Sequence, residues 1–165
     1  MKLYIKQKVF SFNDKFTVKD ENGTDRYFVE GEIFTIGKKL HVYDENQVER
    51  IFFQQKVWSF LPRLFVYVDG QQIAEIVKEF SFLKPRYSVL GLDWEVVGNF
   101  WAHEYEILSQ GRIVVSINKE LLTWGDTYVL DITDSRDELN ALAVVLAIDA
   151  VMSQQRSATT NSAAR

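Results

Sequence analysis

Up to about Ile132, apolar residues recur near every second position, and Val, Ile, Tyr, Phe, Trp and Thr fill short runs between Gly, Asn and Asp turns. That period sends alternate side chains to opposite faces of an extended backbone, so it predicts strands with one face turned to a core. The clear runs are Phe16 to Lys19, Tyr27 to Val29, Leu40 to Tyr43, Val48 to Gln54, Leu64 to Val68, Gln71 to Val77, Trp94 to Val97, His103 to Leu108, Arg112 to Asn118 and Thr127 to Ile132. Shorter runs at the N-terminus, Ile33 to Ile36 and Tyr87 to Leu90 bring the count to roughly a dozen, enough to close a barrel.

The runs also repeat. Segments Lys8 to Val18, Glu32 to Val42 and Lys56 to Val66 align at a period of 24 residues, followed by Lys78 to Val89 with one inserted residue and by Glu120 to Leu130. Each copy has apolar residues on both sides of Ser11, Thr35, Ser59, Ser81 or Thr123, and then an alternating restart. Turns of another kind lie between the copies, at Asp20-Glu21-Asn22-Gly23, Asp44-Glu45-Asn46-Gln47, Asp69-Gly70 and Gln110-Gly111. A unit of two strands and two turns generates an up-and-down meander, with the Ser/Thr loops at one end and the Asp/Asn/Gly turns at the other. Unpaired edges favour closing such a meander on itself.

The period changes once, after Asp131. Ser135 followed three places later by Glu138 reads as a capping box, with Asp134 and Asp137 adding charge where a helix dipole favours it. From Leu139 to Met152 the polar residues are Asn140 and Asp149, close to opposite sides of a helix. A helix that is apolar all round must be enclosed, and about 21 Å of it falls short of a hydrocarbon core. A twelve-stranded barrel is wide enough to need an occupant, so the helix is expected inside it. The expected fold is mainly β: a roughly twelve-stranded antiparallel closed barrel with a central hydrophobic C-terminal helix. Residues 1–155 form one domain, with the helix at about 135–155, and the small polar residues 156–165 are expected to be a disordered tail.

Several segments, in order, resemble the bacterial branch of the LURP-one-related family: Ile5-Lys-Gln-Lys-Val-Phe-Ser-Phe12, the Asp20-Glu-Asn-Gly23 turn, Gly91-Leu-Asp-Trp-Glu-Val96, Ala102-His103, Trp124-Gly-Asp-Thr-Tyr128 and Ala147-Ile-Asp149. The resemblance spans about residues 1 to 152. It implies the tubby C-terminal-like fold, a twelve-stranded barrel threaded by a hydrophobic helix. Tubby-type domains are known for phosphoinositide binding at a basic surface and the related scramblases for membrane association. No residue matches the tubby lipid site, and scramblase lipidation uses a cysteine-rich segment that a chain with no cysteine cannot supply.

Composition narrows the chemistry. A chain of 165 residues with 47% hydrophobic content fits one filled domain, and a net charge of −4 argues against a nucleic-acid partner. The absence of cysteine removes disulfides, thiolate nucleophiles and Cys-based zinc sites, and His41 and His103 are the two histidines. The N-terminal residues alternate charged and apolar groups and read as a strand of a cytoplasmic protein, with no signal or transmembrane segment. Five equivalent Ser/Thr positions point to turn chemistry and away from a nucleophile. His103 and Glu104/Glu106 alternate along a strand, so no metal site is expected, and no cofactor is implied.

The Ser/Thr-loop end collects Lys15, Lys38, Lys39, Arg63, Lys84 and Arg86 beside Phe12, Phe34, Trp58, Phe60, Phe82 and Trp124, whereas the other end collects Asp20, Glu21, Asp44, Glu45 and Asp69. The plain reading is that the aromatics fold inward to close the barrel and the bases keep the turn tips soluble. The sharper reading makes this end a docking surface for anionic lipid headgroups. Asp149, a carboxylate in an apolar helix, needs a partner or a proton; it is expected near the helix C-terminal end where the chain leaves the barrel, reaching solvent or a basic residue and setting helix register. The expected function is a non-enzymatic binding domain for an anionic phospholipid headgroup, cytoplasmic and peripheral at the membrane. The alternatives are a protein-interaction scaffold and, behind it, an enzyme with an unrecognised site.

Overall fold

Alternation along the strands resolves into a closed antiparallel barrel in the computed structural model, which describes residues 1–6, 15–32, 37–61, 63–79, 86–122 and 125–163. The strands are β1 (Lys2–Lys6), β2 (Lys15–Lys19), β3 (Asp25–Gly31), β4 (Lys39–Asp44), β5 (Glu49–Gln55), β6 (Arg63–Val68), β7 (Gln71–Glu79), β8 (Arg86–Leu90), β9 (Trp94–Asn99), β10 (Glu104–Ser109), β11 (Arg112–Leu122) and β12 (Gly125–Ile132). Each pairs with its sequence neighbour, and β1 closes the cylinder on β12, from Lys2 opposite Asp131 to Lys6 opposite Thr127. The expected run Ile33 to Ile36 lies outside the described residues.

The 24-residue repeat has a structural counterpart. Pairing shifts by one residue at Val18/Lys19, Val42/Tyr43 and Val66/Tyr67, the same place in three successive copies, just before the Asp-containing turns. A bulge bends its strand and increases local twist, and curvature applied at regular intervals is what closing a sheet requires. The turns after it use left-handed backbone at Gly23, Gln47 and Gly70 (φ 79°, 62° and 78°). Asp20 and Asp44 hold their turns by accepting N–H bonds from Asn22 and Thr24, and from Asn46 and Val48. All such turns fall at one barrel end, and the described residues of the β3–β4 and β5–β6 connections, Glu32, Gly37, Lys38 and 56–61, fall at the other.

The inward faces carry Leu3, Ile5, Leu40, Phe53, Leu64, Ile107 and Leu130, each almost wholly removed from solvent. Their partner is α1 (Glu138–Ala163), whose residues Ala141 to Met152 are buried on every side. The helix enters from the Asp/Gly end, where β12 stops, and packs along β5, β6, β7 and β12. It is the central rod that its all-round apolarity demands.

Three local expectations need correction. Asp134, not Ser135, is the N-cap: its carboxylate accepts the Arg136 N–H at 2.9 Å and a single 3-10 turn, Ser135–Asp137, precedes the helix. Glu138 cannot complete a capping box because its carboxylate is bound to Arg26 and Tyr27. The helix also continues through Ala163, where a disordered tail from residue 156 was expected. No Gly or Pro follows Met152, and adding residues to a helix already anchored in a core is cheap compared with starting one. His103, placed in a strand by the alternation, instead ends a 3-10 turn (Phe100–Ala102) in left-handed conformation (φ 53°) and is buried.

If the rod sustains the barrel, Leu142→Ala costs about 2–5 kcal/mol of stability, the range for cavities in cores that collapse poorly. Ile113→Ala, on the half-exposed outer face of β11, stays within about 0.5–1 kcal/mol. Urea denaturation of the two variants checks the contrast, and similar losses at both positions would contradict it.

Candidate functional site

The helix is apolar, yet two carboxylates on it are gripped by the wall. At the Asp/Gly mouth, Glu138 receives two bonds from the Arg26 guanidinium, at 2.5 and 3.0 Å, and one from the Tyr27 hydroxyl at 2.8 Å, with its side chain 12% exposed. Planar two-point pairing of this kind fixes orientation as well as charge. Deeper in, Asp149 is 4% exposed and its Oδ2 accepts the Tyr128 hydroxyl of β12. Its other oxygen lies 3.7 Å from His103 Nδ1, and the His103 ring stacks on Tyr128 with centroids 4.8 Å apart. Asp149 therefore sits mid-helix and not at the helix end; of the two expected partners, solvent or a basic residue, it is the basic residue His103 that faces it, with the Tyr128 phenol holding its other oxygen.

Around this pair the wall is aromatic. Tyr87 of β8 meets Phe100 edge-on at 4.9 Å, and Phe100 tilts against Tyr105 of β10 at 5.2 Å. The Tyr105 hydroxyl is buried with no hydrogen-bond partner among the described residues. Burial, then the Asp149 charge, raises the phenols of Tyr105 and Tyr128 well above their ordinary value near 10. Burial and the Glu138 carboxylate raise Tyr27 likewise. The cluster lies within the packed lumen, so its chemistry is that of a positioning lock on the helix.

The expected basic end is assembled in part. Lys15, Lys39, Arg63 and Arg86 stand at the strand ends facing the Ser/Thr loops, with Lys38 in the β3–β4 connection, whereas Lys84, Phe12, Phe34 and Phe82 lie outside the described residues, as does Trp124. Charge is less segregated than expected, because neighbouring strands supply acids. Lys15 pairs with Glu30 at 3.0 Å, Lys39 with Glu32 at 3.4 Å and Arg63 with Glu75 at 3.0 Å. The acidic end is answered too: Arg50 bridges Asp44 and Asp69, and Lys19 holds Asp25.

The aromatics of the β5–β6 loop do not fold inward. Trp58 is 97% exposed and Phe60 fully so, with Val57 also exposed beside them. Trp58 takes left-handed backbone (φ 62°), which turns the loop outward. The loop is flanked by bases: Lys56 lies in it, with its Nζ 5.5 Å from the Phe65 ring centre, and its N–H binds the Arg63 carbonyl. Lys38 is held against its base, donating its N–H to the Gln55 side chain at 3.3 Å while its carbonyl accepts the Gln55 N–H at 2.9 Å. Elsewhere, Glu104 and Glu106 share a face of β10 that does not carry His103. His41 lies on the outer wall between Glu49 and Glu32, at 2.5 and 2.8 Å. The one signal for the Asp149–His103 contact in the sequence was the need of a buried carboxylate for a partner.

A closed twelve-stranded antiparallel meander barrel around a C-terminal helix is the tubby C-terminal-like fold. Residues 1–149 match the family described as LURP-one-related, and the chain belongs to that family. It is 33% identical over 152 residues to the uncharacterized protein YxjI of Bacillus subtilis strain 168, covering 92% of this chain and 94% of that one. An X-ray structure of a protein from Arabidopsis thaliana shares the fold at 14% identity and a TM-score of 0.57, over 87% of this chain and 88% of that one.

The buried phenols set an alkaline limit. A phenol whose folded pKa is raised contributes its stability in full below the unfolded value near 10, and loses it as pH climbs toward the folded value. Each of Tyr27, Tyr105 and Tyr128 adds a slope of about 1.4 kcal/mol per pH unit above that point. Urea midpoints taken between pH 9 and 11, at about half-unit steps, should fall steeply from pH 10. Tyr128→Phe should lower the slope by about 1.4 kcal/mol per pH unit, while costing about 1–3 kcal/mol at neutral pH by stripping the Asp149 oxygen of its donor. An unchanged slope in that variant would rule out the buried phenol as its source.

Proposed function

We propose that this LURP-one-related barrel is a non-enzymatic binding domain that docks on anionic phospholipid surfaces with its Ser/Thr-loop end, peripheral to the membrane. The observation that carries the reading is the β5–β6 loop, where Trp58 and Phe60 stand in water with Lys38, Lys56 and Arg63 around them. Aromatics of this kind lower their free energy at a bilayer interface. Each offers about 150–250 Å², so submerging half of both is worth about 4–6 kcal/mol before the cost of association. Three bases near an anionic leaflet add about 1 kcal/mol each. The apolar and electrostatic contributions are comparable, so docking needs both.

No helix among the described residues is long and apolar enough to cross a membrane. The outward positions of the wall include Lys39, Arg63 and Glu75, with the apolar core set inward. These features support contact through an end. Co-sedimentation with vesicles of phosphatidylcholine, with and without phosphatidylserine, tests the reading. Binding should require the anionic lipid and weaken with salt. Trp58→Ala with Phe60→Ser should reduce partitioning by about 10–100-fold, and charge reversal at Lys38, Lys39 and Arg63 should reduce it further. Both variants lie at a loop or barrel rim, so circular dichroism should show the fold retained. Unchanged sedimentation of the two variants overturns the proposal.

A further inference from the structure

A second feature lies on the outer wall, a third of the way round the barrel from the Trp58 loop. β1 and β2 are paired through Tyr4 with Lys19 and Ile5 with Val18. Among the described residues no further β1–β2 pair follows: β1 runs along β12 as far as Lys6 opposite Thr127, and β2 along β3 as far as Lys15 opposite Glu30. Beside this pair lies a recess of about 280 Å³, lined by Tyr4, Lys6, Lys15, Phe16, Thr17 and Lys19, with Thr127 of β12 on its far side. Lys6 of β1 and Lys15 and Lys19 of β2 contribute to its lining. Phe16, packed against the core, supplies an apolar floor.

The charges are unevenly answered. Lys19 is committed, with its Nζ 2.5 Å from Asp25 and 3.2 Å from the Gly23 carbonyl, and the Thr17 hydroxyl also donates to Asp25. Lys15 makes one exposed pair with Glu30, its side chain 72% exposed, and such a pair is weak enough to exchange. Lys6 is exposed and meets no carboxylate within ion-pair distance among the described residues. The recess thus has one unanswered ammonium, one readily shared, and an aromatic surface between. A monoanion would satisfy Lys6 alone, whereas a dianion engages Lys6 and draws Lys15 across from Glu30. Phosphate oxygens accept several such bonds at once, and the volume suits a small organic group beside them.

We propose that the β1–β2 recess binds a phosphomonoester dianion bearing a small apolar group, clamped by Lys6 and Lys15 over Phe16. The source is a soluble phosphomonoester or the headgroup of a phosphomonoester lipid. This site uses other strands and other residues than the Trp58 loop, and it stands whether or not that loop enters a membrane.

Phenyl phosphate is the probe, followed by amide chemical shifts of the full chain. Saturable shifts are expected at Tyr4, Lys6, Thr17 and Thr127, with phenyl sulfate, the monoanionic isostere, binding at least about fivefold more weakly. Lys6→Ala with Lys15→Ala should lower the affinity at least about tenfold, and Lys2→Ala, at the far end of β1, should leave it unchanged. Vesicles containing phosphatidic acid, compared with phosphatidylserine vesicles of matched surface potential, identify the source. A preference for phosphatidic acid that the double variant abolishes assigns a lipid, and phenyl phosphate binding without that preference assigns a soluble ligand; both support the site. Absence of saturable shifts up to about 20 mM probe, or shifts indifferent to the double variant, overturns it. The probe measurement contains no membrane, so failure of lipid docking by the Trp58 loop has no bearing on it.

Discussion

Everything in this molecule answers to one packing requirement: twelve strands that close on themselves leave a lumen their own side chains cannot fill. Strands about 4.8 Å apart and tilted about 36–45° give a barrel radius of about 11–13 Å. Layers packed face to face want about 10 Å between them, so a rod on the axis completes the core where side chains meeting across the axis would leave a void. α1 is that rod, and its composition follows from its surroundings. A helix touched by wall on all sides has no solvent face on which to place charge, and from Ala141 to Met152 only Asp149 breaks the apolar surface. The dependence is mutual, since the inward Leu, Ile and Val of the wall would have no partner without it.

A featureless apolar rod in an apolar cylinder is poorly specified, because sliding by a turn or rotating would exchange one set of methyl contacts for another of similar worth. The two carboxylates remove that freedom. Glu138 is bound by a planar guanidinium and a phenol at the entrance, and Asp149, eleven positions later and about 16 Å along the axis, is bound by Tyr128. Two fixed points define both height and rotation. Buried polar contacts contribute little net stability against a well-packed apolar alternative, so their value here lies in uniqueness, and the cost of a wrong register is a desolvated carboxylate without its donor.

The legibility of the structure divides along the same line. Strand existence, strand order, the enclosed helix and the two-ended arrangement of turns all follow from periodicity, because burial of alternate residues imposes a period of two and enclosure abolishes any polar face. The places where sequence reasoning failed are those decided by partners distant along the chain. Ser135 and Glu138 have capping-box spacing, but Arg26, 112 positions away, holds Glu138 more strongly than a backbone N–H can. His103 sits in an alternating run, yet the Asn99 side chain caps a 3-10 turn there and turns the imidazole inward. Asp149 announced that it needed a partner without indicating which. The basic end was readable as a set of loop positions, whereas its acids, Glu30, Glu32 and Glu75, belong to adjacent strands and come into contact only through register.

An occupied lumen also decides where function can reside. In barrels that hold small ligands the interior is the site, and here it is filled by the chain itself, which leaves the rims and the outer wall as the surfaces open to the proposed binding. On the wall, many charges are answered by a neighbour across the ladder, as Lys15 is by Glu30 and Arg63 by Glu75, and such pairs leave little field beyond the surface. Two features stand out beside those pairs. One is the β5–β6 loop, which keeps two aromatic rings in water, although the core has ample apolar surface to receive them. The other is the recess beside the β1–β2 pair, where Lys6 meets no carboxylate among the described residues. Both lie on or beside connections between paired strands, where side chains are not fixed by the ladder or by the core.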